Sequence, residues 1–167
     1  MLKNKLATLT LVIIASVSMF TSCSMLFNFT TDEDIEIALN AFDENEASII
    51  KHRIIDINYC NAPSSRQGMS GWTDKTGNRY MIYIYEDIIS KCSFSYNEHP
   101  NKEIRKIMSP DIIKQTTLIH EFCHVLHFEY KHDEKFVNLL SKKIERYANQ
   151  NSLDVDLCVY MSTCLYK

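Results

Sequence analysis

Glycine is scarce in this chain, at three residues in 167. So few glycines build no Gly-rich phosphate cradle, and nucleotide chemistry of the P-loop or dinucleotide type is not expected. No Cys-x-x-Cys pair occurs among the six cysteines, which argues against a Cys-His zinc cluster. Neither sign of charge dominates. A formal net charge of −3 gives no electrostatic reason to expect nucleic acid as a partner. There is no internal repeat and no low-complexity tract. The longest apolar run, Leu6 to Phe20, is shorter than the roughly 20 residues of a membrane-spanning helix.

That run has a different reading. Lys3 and Lys5 precede it and Thr21-Ser22-Cys23 follows it, the pattern of a secretory signal, so residues 1–23 are set aside from the fold. Phe20-Thr21-Ser22-Cys23 resembles a bacterial lipobox, which implies that Cys23 is lipidated and that a membrane anchor holds the exported protein at the cell envelope. Ser24 after the cysteine implies the outer membrane of a Gram-negative host. Residues 24–31 are then a tether, and 32–167 are expected to form one domain, long enough to bury a core without staples. If Cys23 carries lipid, five cysteines remain. Cys123 is expected to be the free one, with Cys158–Cys164 and Cys60–Cys92 as possible pairs.

The most informative stretch is His120-Glu121-Phe122-Cys123-His124. Positions i and i+4 of an α-helix lie one turn apart on one face, so His120 and His124 can aim at one metal ion while Glu121 stands beside the open coordination position. This is the HExxH arrangement, in which zinc activates a water and the glutamate takes its proton. Local context supports a helix. Ser109 reads as N-cap, Pro110 as first helical residue and Asp111 as an acidic first-turn residue, with Ile112, Ile119, Phe122, Cys123 and Leu126 as an apolar stripe broadly opposite the histidines.

A catalytic zinc usually has three protein ligands, and His132 is the preferred third, because it sits in a turn that lets the chain swing back. Glu145 is the rival. A helix from about Asp133 to Asn149, with Phe136, Val137, Leu140, Ile144 and Tyr147 inward, could bring it near. His127 lies too far along the axis to share the ion, Glu129 and Asp133 are candidates to orient a ligand imidazole or cap a helix, and His52 and His99 receive no role.

The run Thr117 to His124, followed by His132-Asp133-Glu134-Lys135-Phe136, resembles the SprT-like and WLM-type zinc metallopeptidases over about thirty residues. The resemblance implies that His120, His124 and His132 bind zinc and that Glu121 is the general base. Tyr130-Lys131 stands where those families usually have Gly or Gly-Pro, and Tyr130 occupies the position of the metzincin third histidine. The same resemblance implies a strand along the cleft edge, and Arg79 to Asp87 is the strand expected there, as the second arm of a hairpin that turns near Gly77-Asn78. An exposed edge would accept an extended substrate; sheet core is the alternative reading of that strand.

Elsewhere, acidic Thr30 to Asp34 reads as the cap of a short helix through Ile35 to Phe42, with Asp32 to Asp34 read as a solvated stretch in preference to a pro-segment folded onto the site. Arg53 to Tyr59 reads as a strand, Pro63 to Gly68 as a loop and Ser95 to Lys106 as a polar connection. The expected fold is α+β: a small zincin-like domain, with a few-stranded, mostly antiparallel sheet packed on an active-site helix and a following helix. The expected function is zinc-dependent hydrolysis of protein or peptide substrates at the envelope. The alternatives are a catalytically weak metal- or peptide-binding lipoprotein and an interaction domain whose histidines bind nothing.

Overall fold

Helix α5 (Pro110–His127) organises the molecule because its neighbours cover it on nearly every side. The computed structural model describes residues 32–127 and 131–164. Residues 1–31, where a signal sequence, a lipidated Cys23 and a tether are expected, lie outside these residues, as do Glu129 and the side chain of Cys164. The described chain runs α1 (Glu33–Leu39), α2 (Glu44–Arg53), β1 (Ile54–Cys60), β2 (Gly71–Thr76), β3 (Arg79–Tyr85), α3 (Glu86–Tyr96), α4 (Lys102–Ile107), α5, α6 (Glu134–Gln150) and α7 (Val155–Cys164). This is an α+β fold. Among the described residues no helix is long and apolar enough to cross a membrane.

The sheet is mixed and not mostly antiparallel as expected, in the order β1-β3-β2, because β1 lies parallel to β3 while only the β2–β3 hairpin is antiparallel. Gly77 and Asn78 close the β2–β3 hairpin, Gly77 at φ +63°, a backbone setting that suits glycine. Tyr80, Ile82 and Ile84 alternate inward along β3 and are buried beneath α5. The strand expected at the cleft edge is therefore the central one, because β1 occupies its other side; β2 is an edge. That strand also ends at Tyr85, since Glu86 and Asp87 open α3 as acidic first-turn residues.

Other segments also depart from their sequence-based reading. The polar connection from Ser95 to Lys106 contains the end of α3 and all but the last residue of α4, because Asn101 caps a new helix by accepting from the Glu103 N–H at 2.8 Å. Glu44–Arg53 had no assignment; it is a helix held by a capping box between Asp43 and Glu46, although it fully buries only Ile50. Cys158 and Cys164 lie on one helix, where six positions rise about 9 Å, too far for a disulfide. Among the described residues Cys60, Cys92 and Cys158 are free thiols.

Polar ties clamp the helices around α5. Asp34 accepts from Lys114 and Gln115 of α5, each at 2.7 Å, and the Tyr147 hydroxyl of α6 donates to Gln115 at 2.5 Å. Asp34 is thus part of the packing and not a solvated tether. On α6, Phe136, Leu140, Ile144 and Tyr147 face inward as their spacing predicts, while Val137 is exposed. Lys143 is buried with them, its ammonium paired to Glu46 of α2 and 5.1 Å from the Phe42 ring centre. Removing one partner of a buried pair strands the other charge. Glu46→Gln, which retains hydrogen-bonding capacity, is expected to cost about 1–2 kcal/mol in a urea titration.

Candidate metal centre

Two buried turns of α5 carry His120 and His124, which are 3 % and 8 % exposed. The apolar stripe alone suggests that this face would be open, but α6 folds over it. His132 comes from the segment just before α6 and is exposed. The three Nε2 atoms form a nearly equilateral triangle: 3.2 Å between His120 and His124, 3.1 Å between His120 and His132, and 3.2 Å between His124 and His132.

That triangle fits a metal better than a hydrogen-bonded cluster. An Nε2 that carries a proton has no in-plane lone pair, and one that lacks it cannot donate, so no set of tautomers satisfies all three edges. One cation satisfies all three lone pairs at once. Donors of a tetrahedral zinc, about 2.0–2.1 Å from the ion, stand roughly 3.3–3.4 Å apart, close to the spacing here. Burial holds the His120 imidazole well below its ordinary pKa, and its two histidine neighbours add to the effect. The neutral form is the one that ligates metal. Among the described residues, these three histidines are the group that could hold a metal ion.

Phe136, fully buried at the start of α6, is the surface on which the rings rest. Its centroid lies 4.3 Å from that of His124 in a stacked geometry, 4.8 Å from His132 and 5.1 Å from His120. The same α6 start thus supplies the third imidazole and a common wall for all of them.

Glu121 sits one residue from His120 and is only 3 % exposed. Thr73 of β2, itself buried, donates its hydroxyl to Glu121 Oε2 at 2.7 Å. On the same strand Gly71 passes so close that a Cβ there would come within 2.7 Å of both Glu121 Oε1 and Thr117 Cγ2. Burial pushes the Glu121 carboxyl up to about 8, against partial relief from Thr73 and Arg66. Without metal, that shift makes the fold lose stability as pH rises. The native state holds the proton more tightly than the unfolded chain from pH 4.5 to about 8. His120 acts in the opposite sense, but only below its ordinary value of 6.5. Chelator-treated protein is therefore expected to become less stable between pH 6.5 and 8 in denaturant titrations, and Glu121→Gln to flatten that decline.

The other candidates fall away from the centre. Glu145 is exposed on the outer side of α6, outside the histidine group. His52 is exposed, and His99 accepts from the Asn101 N–H. Asp133 does not reach a ligand imidazole; it caps α6 by accepting from Phe136 N–H at 2.8 Å and meets His127 Nε2 at 3.1 Å. Cys123 is a buried free thiol whose pKa burial raises, fit for packing and not for nucleophilic attack. Gly71 and Thr73 had no place in the sequence-based site. A glycine at a strand start, in a chain with only three, was the available sign of close backbone approach.

Searches with this chain find no matching protein-family model, no matching curated protein and no matching solved structure.

Proposed function

We propose that this chain is a zinc-dependent peptidase with a zincin-like site, similar in its motif to the SprT-like and WLM-type metallopeptidases. The observation that carries this reading is the joint geometry: three Nε2 atoms within 3.2 Å of one another, beside a buried glutamate on the same helix. Ligation alone does not require that glutamate. A carboxylate whose burial raises its pKa to about 8 is costly in a core and is suited to exchange a proton near neutrality.

His120, His124 and His132 would hold the ion. When bound, zinc would polarise a carbonyl, bring the pKa of water toward about 7 and favour the ionised form of Glu121. Glu121 accepts the proton of the attacking water and hands it to the departing amine. Thr73 fixes Oε2 during that exchange, and Gly71 leaves the carboxylate room. An extended peptide fits the open side of β2, which pairs only with β3 among the described residues and passes directly beside Glu121. The lipobox-like Cys23 supports an address at the cell envelope, with proteins or peptides as substrates.

The test is cleavage of an unfolded protein, casein, and of a quenched fluorescent peptide library by the zinc-loaded protein. Turnover that a chelator abolishes and zinc restores is expected. Stoichiometric zinc with no cleavage of either probe would leave a metal-binding protein in place of a peptidase. Thr73→Val is expected to lower kcat about tenfold with KM little changed, because the valine keeps the packing and removes the donor.

A further inference from the structure

His132 is the weak point of the metal centre, being exposed and held by no helix or strand, whereas His120 and His124 are buried in α5. A ligand on such a segment reaches the ion only for the fraction of time that its backbone is in place, and apparent affinity falls by that fraction. Among the described residues, a contact joins the last turn of α5 to the residue that follows His132. His127, in the last turn of α5, places Nε2 3.1 Å from Asp133 Oδ1, immediately after His132. A carboxylate only accepts, so the imidazole donates. The same Oδ1 accepts from the Phe136 N–H at 2.8 Å and so fixes the first turn of α6. The His127 ring also lies 6.2 Å from that of Phe136, the wall behind the three ligand rings.

We propose that the His127–Asp133 pair is a latch that holds His132 in its ligating position and thereby sets how tightly the centre retains its metal. This rests on the metal-site reading above. The latch touches no ligand ring. It ties Asp133, the residue next to His132, to the last turn of α5, so that positioning His132 costs less conformational entropy. His127 has 18 % side-chain exposure and Asp133 42 %, so the pair is worth more than a fully solvated one but remains modest.

The experiment is zinc affinity and zinc release rate, measured on the purified full chain by competition with a chromophoric chelator. His127→Ala and Asp133→Ser are the main variants, since serine keeps the helix cap while removing the carboxylate. Each is expected to weaken zinc roughly fivefold and speed release by a similar factor, with the double variant little worse than either alone. His127→Gln, which restores a donor, is expected to recover part of the loss. In a His132→Ala background the latch variants are expected to change nothing, because their effect passes through His132. Unchanged affinity in both variants, with wild type binding zinc, would overturn the latch. The same weakening in the His132→Ala background would also overturn it, assigning the effect to general stability. A wild type that binds no zinc would defeat the metal-site reading itself, a separate and visible failure.

Discussion

Glu121→Gln is expected to keep about one zinc per chain and to lose roughly 10²- to 10⁴-fold in kcat, the range typical of removing a positioned general base. Glutamine has nearly the same shape and can still accept from the Thr73 hydroxyl, which lies 2.7 Å from Oε2, so packing should survive. It cannot take a proton from water near neutral pH. In metal-free protein the same change removes a carboxyl whose pKa burial has raised to about 8, so the variant should be as stable as wild type or more so above that pH. Stability and activity thus move in opposite directions, as expected for a residue retained for chemistry. Steady-state kinetics on the cleaved peptide, with zinc analysis of the same preparation, checks this. Equal turnover in Glu121→Gln would remove the glutamate from the reaction.

Gly71→Ala should be nearly as damaging, although the residue carries no chemistry. The added methyl would lie 2.7 Å from Glu121 Oε1 and from Thr117 Cγ2, well inside contact distance. Gly71 is paired with Ile84 of β3, so the strand cannot withdraw without breaking its ladder, and the Glu121 side chain has to give way. Overpacking of this kind costs about 1–3 kcal/mol. If Glu121 is the general base proposed above, displacing it from its Thr73 contact should lower kcat by roughly 10²-fold, because small misplacements of reacting groups are amplified in the barrier. Zinc content should be unaffected, since the three imidazoles do not touch β2 through Gly71. Denaturant titration with kinetics separates the two effects, and unchanged kcat in a folded Gly71→Ala protein would show that β2 does not govern Glu121.

These two residues also mark how far the sequence was legible. Helices α5 and α6 start close to where their caps and apolar spacing place them, because Ser109-Pro110-Asp111 and Asp133 act within one turn. His120 and His124 follow from the same local geometry. His132 joins them through a return of the chain, which the turn and helix start read from Tyr130 to Phe136 allow. Sheet order is a different kind of information. The alternation of Tyr80, Ile82 and Ile84 says which side chains point inward, but not whether β1 or open solvent lies beside the strand. That non-local pairing turned the expected edge strand into the central one and brought Gly71 and Thr73 against Glu121. Lys143, Gln115 and Asp34 were hidden for a related reason: their burial depends on partners many residues away. A charged residue reads as exposed until its partner is known. Helix α2 was missed because a chain segment with one buried residue, Ile50, has no apolar period to detect.

In the proposed site His120, His124 and His132 together hold one catalytic zinc, and the decisive measurement is elemental analysis of the purified protein, for wild type and for the separate His120→Ala, His132→Ala and Glu145→Ala variants. Near one zinc per chain is predicted for wild type and for Glu145→Ala, with sharp loss in both histidine variants. No zinc in folded, metal-replete wild type, or zinc retained without His120 and His132, would contradict it.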